Sequence, residues 1–130
     1  MPMSTYFADK VANVLRGTTF TAPATIYAAL FTSSSSLAAL KAGTLTNEVS
    51  GGSYARVAVT LGAPTDGDGT GGTVTFATAT ASWGTVRFAA LMDASTSGNV
   101  LMFAQLTSDV TINNGNQFQF NSGSVAYAFD

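Results

Sequence analysis

Cysteine and histidine are both absent from the 130 residues, and charge is scarce: five Lys or Arg and seven Asp or Glu. At 9% charged, the chain lies far below the roughly 25% of an ordinary soluble domain. Without Cys there is no disulfide framework. Without Cys and His, a zinc site, a haem ligand and a Ser-His-Asp or Cys-His pair are excluded, so no such cofactor is expected. A formal net charge of −2 with no basic cluster argues against a phosphate-binding surface, because that affinity is built from many Lys and Arg contacts. No nucleic-acid partner is therefore expected. No stretch approaches the roughly 18 apolar residues of a membrane span. The start, Met-Pro-Met-Ser-Thr-Tyr, lacks the cationic and apolar segments of a signal peptide. No membrane partner is expected either. A surface so poor in charge is a solubility risk for a free monomer and suits a protein that works packed against something.

What is present reads as two segments. Residues 1–17 predict a helix with Ser4 or Thr5 as cap, Asp9 near its start, Arg16 in its last turn and Gly17 at its end. Phe7, Val11, Val14 and Leu15 form one apolar stripe at helical spacing. Such a helix either lies on its own domain or is an arm that docks on a neighbour, and the first reading is preferred. From residue 18 to 130 the period changes to two. Thr25–Thr32 carries Ile26, Ala28 and Leu30 on one face and Tyr27, Ala29 and Phe31 on the other, so it predicts a strand buried on both sides. Tyr54–Leu61 is expected to turn Ala55, Val57 and Val59 inward and Tyr54 and Arg56 outward. Thr73–Phe76, Trp83–Met92, Asn99–Leu106, Asp109–Ile112, Gln117–Phe120 and Ser124–Phe129 complete about eight short strands. In Trp83–Met92, Val86, Phe88, Ala90 and Met92 are placed on one face. Glycine-rich turns separate the strands, and Asn114-Gly115 and Ser122-Gly123 are hairpin signals. Ser33–Ser50 does not alternate; a helical turn at Leu37, Leu40 and Lys41 is one reading of it, and a surface loop is the preferred one. The expected fold is an all-β single domain, a β-sandwich or jelly-roll-like barrel with an N-terminal helix.

Candidate chemistry is thin. The seven carboxylates are scattered singly except for Asp66 and Asp68, whose Asp-Gly-Asp-Gly run lacks the further ligands of a calcium loop and suits a solvated turn. A Glu48–Asp93 pair has no spacing that suggests glycoside hydrolysis. No enzymatic role is expected. Arg56 and Arg87 stand inside predicted strands, where charge must be paired or solvated. Arg56 is expected to pair with Glu48 across Gly51-Gly52. Arg87 admits a structural role and an interface role equally, since Arg is enriched at interfaces. Glu48, Tyr54, Arg56 and Arg87 are thus the structural or interface candidates.

Several strings together carry a family resemblance. Ser4-Thr5-Tyr6 through Leu15-Arg16-Gly17, Phe20-Thr21-Ala22-Pro23-Ala24-Thr25-Ile26-Tyr27 and Ala29-Leu30-Phe31-Thr32 open it. Glu48-Val49-Ser50-Gly51-Gly52-Ser53-Tyr54-Ala55-Arg56 and Val57-Ala58-Val59 continue it. Val74-Thr75-Phe76-Ala77-Thr78-Ala79-Thr80, Trp83-Gly84-Thr85-Val86, Phe88-Ala89, Leu91 and Asp93-Ala94 extend it. In these strings the chain resembles small bacteriophage virion proteins labelled tail fibre protein or head decoration protein. It departs from them at Ser33–Asn47, and at Arg87, where many relatives are expected to carry His. The resemblance implies a virion component. The expectation taken from it is a capsid decoration, or cement, protein on the capsid exterior, a homo-oligomer (trimer favoured) whose partner is the major capsid protein. The alternative is a tail-associated or tail-fibre protein involved in host attachment.

Overall fold

The computed structural model describes residues 1–129. Its elements in chain order are α1 (Thr5–Leu15), β1 (Ile26–Thr32), α2 (Leu37–Ala42), β2 (Val57–Val59), β3 (Asp68–Thr70), β4 (Val74–Thr75), β5 (Gly84–Met92), β6 (Val100–Ile112), β7 (Gln119–Phe120) and β8 (Ala126–Ala128). The all-β domain of eight strands with an N-terminal helix is the fold observed. Four strands make an antiparallel sheet in the order β2-β1-β5-β6, and the rest form two two-stranded ribbons, β3-β8 and β4-β7.

β1 alternates as its sequence dictates. Ala28 and Leu30, with Val86, Ala89 and Leu91, pack against Val74, Phe76 and Val125 contributed from the ribbon side. Ala29 and Phe31, with Phe88, Ala90 and Met92, face the other way. The central strand is therefore apolar on both sides because both sides are covered. The second face is closed by α2, whose Leu40 is fully buried. Full burial of one such side chain contributes about 1.5–3 kcal/mol.

α2 corrects the loop expected over Ser33–Ser50. Ser36 accepts a hydrogen bond from the Ala39 N–H at 3.0 Å, and Gly43 closes the helix at φ +85°. Six residues are too few to show a helical period, but the cap residues at each end are a legible signal. Asn99–Leu106 and Asp109–Ile112 are one strand, β6, and the expected break survives as a shift in register. Val86 pairs with Val110 while Phe88 pairs with Gln105, so Leu106–Asp109 bulge opposite Arg87. The bulge also separates Val86 from Phe88, which join different core clusters instead of sharing the face that strict alternation assigns.

The hairpin signals behave differently from expectation. β7 pairs with β4 and β8 with β3, so neither Asn114-Gly115 nor Ser122-Gly123 joins paired neighbours. Asp66-Gly67 does make a tight two-residue turn. Thr65 and Asp68 exchange backbone hydrogen bonds at 2.8 and 2.9 Å, with φ +53° and +84° at the two central residues, the signature of a type I′ turn.

Candidate functional site

Three of the four candidate side chains meet at one end of the sheet. Glu48 lies just beyond α2, in a β-bridge with Phe31, while Tyr54 and Arg56 precede β2. Gly51 and Gly52 reverse the chain between them, both at positive φ. At Gly52 the conformation is also sterically enforced. A Cβ there would come within 2.9 Å of Trp83 Nε1, and the Trp83 indole donates to the Gly52 carbonyl at 2.9 Å.

The expected Arg56–Glu48 pair is present and bidentate. Arg56 Nε donates to Glu48 Oε2 at 2.8 Å and Nη2 to Oε1 at 2.7 Å. Arg56 Nη1 donates to the carbonyls of Ala94 and Ser97 at 2.9 and 2.7 Å, binding the β5–β6 connection to the same point. The Arg56 side chain is only 3% exposed, so the guanidinium is held by hydrogen bonds in place of water. Its pKa is raised further, first by the hydrogen bonds to Glu48 and against the opposing effect of burial.

Tyr54 corrects the outward placement. Its ring packs edge-on against Trp83 at 5.3 Å and stacks near Phe76 at 6.2 Å, while Ala55 is the exposed neighbour. Strict alternation fails here because residues 54–56 precede β2 and are not in the ladder. The phenol donates to Glu48 Oε2 at 2.8 Å and accepts from the Leu30 N–H at 3.0 Å. Leu30 is fully buried, and β2 pairs only with Ile26–Ala28 of β1. Tyr54 therefore satisfies a backbone donor that the short strand leaves behind. Burial, then the nearby Glu48 carboxylate, pushes the phenol pKa far above its ordinary value.

Arg87 stands apart from this cluster. It pairs across the bulge with Asp109, Nε to Oδ1 at 2.9 Å and Nη2 to Oδ2 at 2.7 Å, on the exposed surface. Each group favours the other's charged form through these hydrogen bonds, raising the Arg87 pKa and lowering that of Asp109. Asp109 was not singled out from the sequence, although opposite charges on two adjacent predicted strands are a usable signal. The Ala94 and Ser97 carbonyls were not foreseeable, because any residue supplies a carbonyl.

The arrangement clamps three segments of the chain together. Both Glu48 oxygens accept hydrogen bonds, and Arg56 spends its nitrogens on four acceptors. Among the described residues no three His, Cys, Asp or Glu side chains gather as metal ligands. A cavity of about 450 Å³ lies between the main sheet and the ribbons, against Ala28, Ala89, Leu91, Leu106, Phe118 and Val125. Its lining side chains carry no charge and are mostly apolar, with Gln105, Thr107, Ser108 and Ser124 as the polar ones.

No curated protein matches this sequence as a relative. A family model, described as Podophage GP4 fiber I protein gp80 (Gp80), matches residues 2–128, from the strand-like N-terminal segment through the last strand. With a match over nearly the whole of this charge-poor, all-β chain, the chain belongs to this family of phage structural proteins.

Proposed function

We propose that the chain is a non-enzymatic fibre component of the virion, attached at the tail and built into it in several copies. The observation that carries this reading is the match over residues 2–128 to a family described as a podophage fiber protein. It favours the tail-fibre alternative over the capsid decoration expected from sequence. The geometry supports a scaffolding role. The polar side chains with the best-formed contacts, Glu48, Tyr54, Arg56 and Arg87, are engaged within the chain. The partners on this reading are further copies of the chain and a neighbouring tail protein, with no cofactor.

Gold-labelled antibody on intact particles, combined with a copy count per virion, tests it. Label confined to the tail, with copies in a small multiple of the tail symmetry, supports the fibre reading. Label spread over the head, with hundreds of copies, overturns it and restores the major capsid protein as partner.

A further inference from the structure

The N-terminal arm is joined to the domain unevenly. Its first residues act as an extra strand on the outer edge of β6. The Ser4 N–H donates to the Leu101 carbonyl at 2.8 Å and the Phe103 N–H to the Pro2 carbonyl at 3.1 Å, with Met3 facing Met102. Ser4 is fully buried. Its hydroxyl donates to the Val100 carbonyl and accepts from the Phe7 N–H at 3.1 Å, so one side chain seals the edge and caps α1.

Tyr6 and Phe7 at the start of α1 also pack against the core, but the helix beyond them is open. α1 has no buried residue, and Val11, Val14 and Leu15 are 36, 52 and 89% exposed. The other exposed large apolar side chains among the described residues are Leu37 and Phe129. Leu37 belongs to α2, which α1 touches, and Phe129 packs against Phe7 of α1. All the exposed large apolar side chains therefore lie on α1 or on its contacts. Beyond α1, no backbone hydrogen bond among the described residues ties Thr19–Ala24 to another segment.

We propose that this arm is exchanged between copies: the Pro2–Ser4 strand of one copy pairs with β6 of a second, and α1 lies between the two bodies. The inference rests on the part of the preceding reading that places several copies together. The occupant is a second copy because the receiving edge already fits this segment, and exchange reproduces the same bonds. The reach is available, since the nine residues Gly17–Thr25 span up to about 30 Å when extended. What exchange changes is the apolar stripe. Within one chain its Val11, Val14 and Leu15 face water; between two bodies they are covered. Because the contacts are otherwise equal, copy concentration sets the balance, and an assembled fibre supplies a high one.

The test uses the absence of cysteine. Met3→Cys with Met102→Cys places the chain's only thiols at a non-hydrogen-bonded antiparallel pair, whose close approach suits a disulfide. Protein from oxidised particles carrying both substitutions is expected to run as covalent multimers on a non-reducing gel. Monomers, whether internally closed or with both thiols free, overturn the exchange. Co-produced chains carrying one substitution each report the same event if the double variant fails to fold: a covalent heterodimer supports exchange, and its absence overturns it. Multimers from particles labelled on the head keep the exchange and remove only the fibre reading.

Discussion

Arg56 holds Glu48 with two parallel hydrogen bonds, 2.8 and 2.7 Å, and reaches past it to the Ala94 and Ser97 carbonyls. One side chain thus fixes the segment after α2 and the β5–β6 connection to the entry of β2. Arg56→Ala leaves a carboxylate and two carbonyls without their donor. It is expected to destabilise the fold by about 3 kcal/mol, the cost of removing one partner from a buried ion pair, measured by denaturant unfolding. Arg56→Lys is expected to restore only part of this, because an ammonium cannot make the two-pronged contact.

Tyr54→Phe keeps the ring and removes the hydroxyl. The Leu30 N–H then loses its acceptor in the interior, an expected loss of about 1–3 kcal/mol. Hydrogen exchange checks the cause directly: the Leu30 amide should exchange faster in the variant, beyond what the global loss of stability explains.

The same residue gives the protein an alkaline limit. Its folded pKa lies above the unfolded value, so its contribution is fully present below about pH 10, the unfolded tyrosine value. Stability is lost as pH rises through and beyond that value, because only the unfolded chain then releases the proton. Denaturation midpoints should fall above about pH 10 and fall less in Tyr54→Phe. In the folded protein, absorbance titration should lose its latest-appearing phenolate in the variant.

Asp109 acts in the opposite pH direction. Its folded pKa is depressed by Arg87, so its contribution is present above the unfolded carboxylate value and disappears as pH falls through the folded one. Both groups are on the surface and screened by solvent, so the effect is expected to be small and salt-sensitive. Asp109→Asn should flatten that part of the acid stability profile. A profile unchanged by the substitution would show that the pair does not contribute.

Gly52→Ala tests the turn beneath the clamp. The new Cβ meets Trp83 Nε1 at 2.9 Å on a backbone at φ +55°. The strain is expected to cost about 1–3 kcal/mol. Since Trp83 is the only tryptophan, its fluorescence should shift as the indole loses its place against the Gly52 carbonyl.

Much of this architecture is legible in the sequence. β1 shows both of its faces in Ile26–Phe31, because every side chain there is apolar and the period is unbroken. The Arg56–Glu48 pair follows from a costly charge inside an apolar run with an acid close by. Period-two reading fails where the backbone leaves the ladder: Tyr54 turns inward because residues 54–56 are outside β2, and Val86 parts from Phe88 because Arg87 sits opposite a bulge. Pairing partners are harder still. A glycine at positive φ specifies a turn, but strands of two or three residues carry too little pattern to name the strand they will join. α2 is legible only as a helical turn at Leu37, Leu40 and Lys41, too short to outweigh a loop by its period alone, although Ser36 and Gly43 mark both ends.

If copies assemble as proposed, the two arginine pairs also bear on how they meet. With Arg56 and Arg87 tied to carboxylates, the remaining cations are Lys10, Arg16 and Lys41, and all three belong to the helices or their ends. So sparse a field, screened beyond about 8 Å in physiological salt, steers nothing from a distance. On the proposed assembly, encounter between copies would be left to unguided diffusion and the chance alignment of patches, on the order of 10⁵–10⁶ M⁻¹s⁻¹ for such neutral pairs. The expected consequence is an assembly rate nearly the same in dilute and in saline medium.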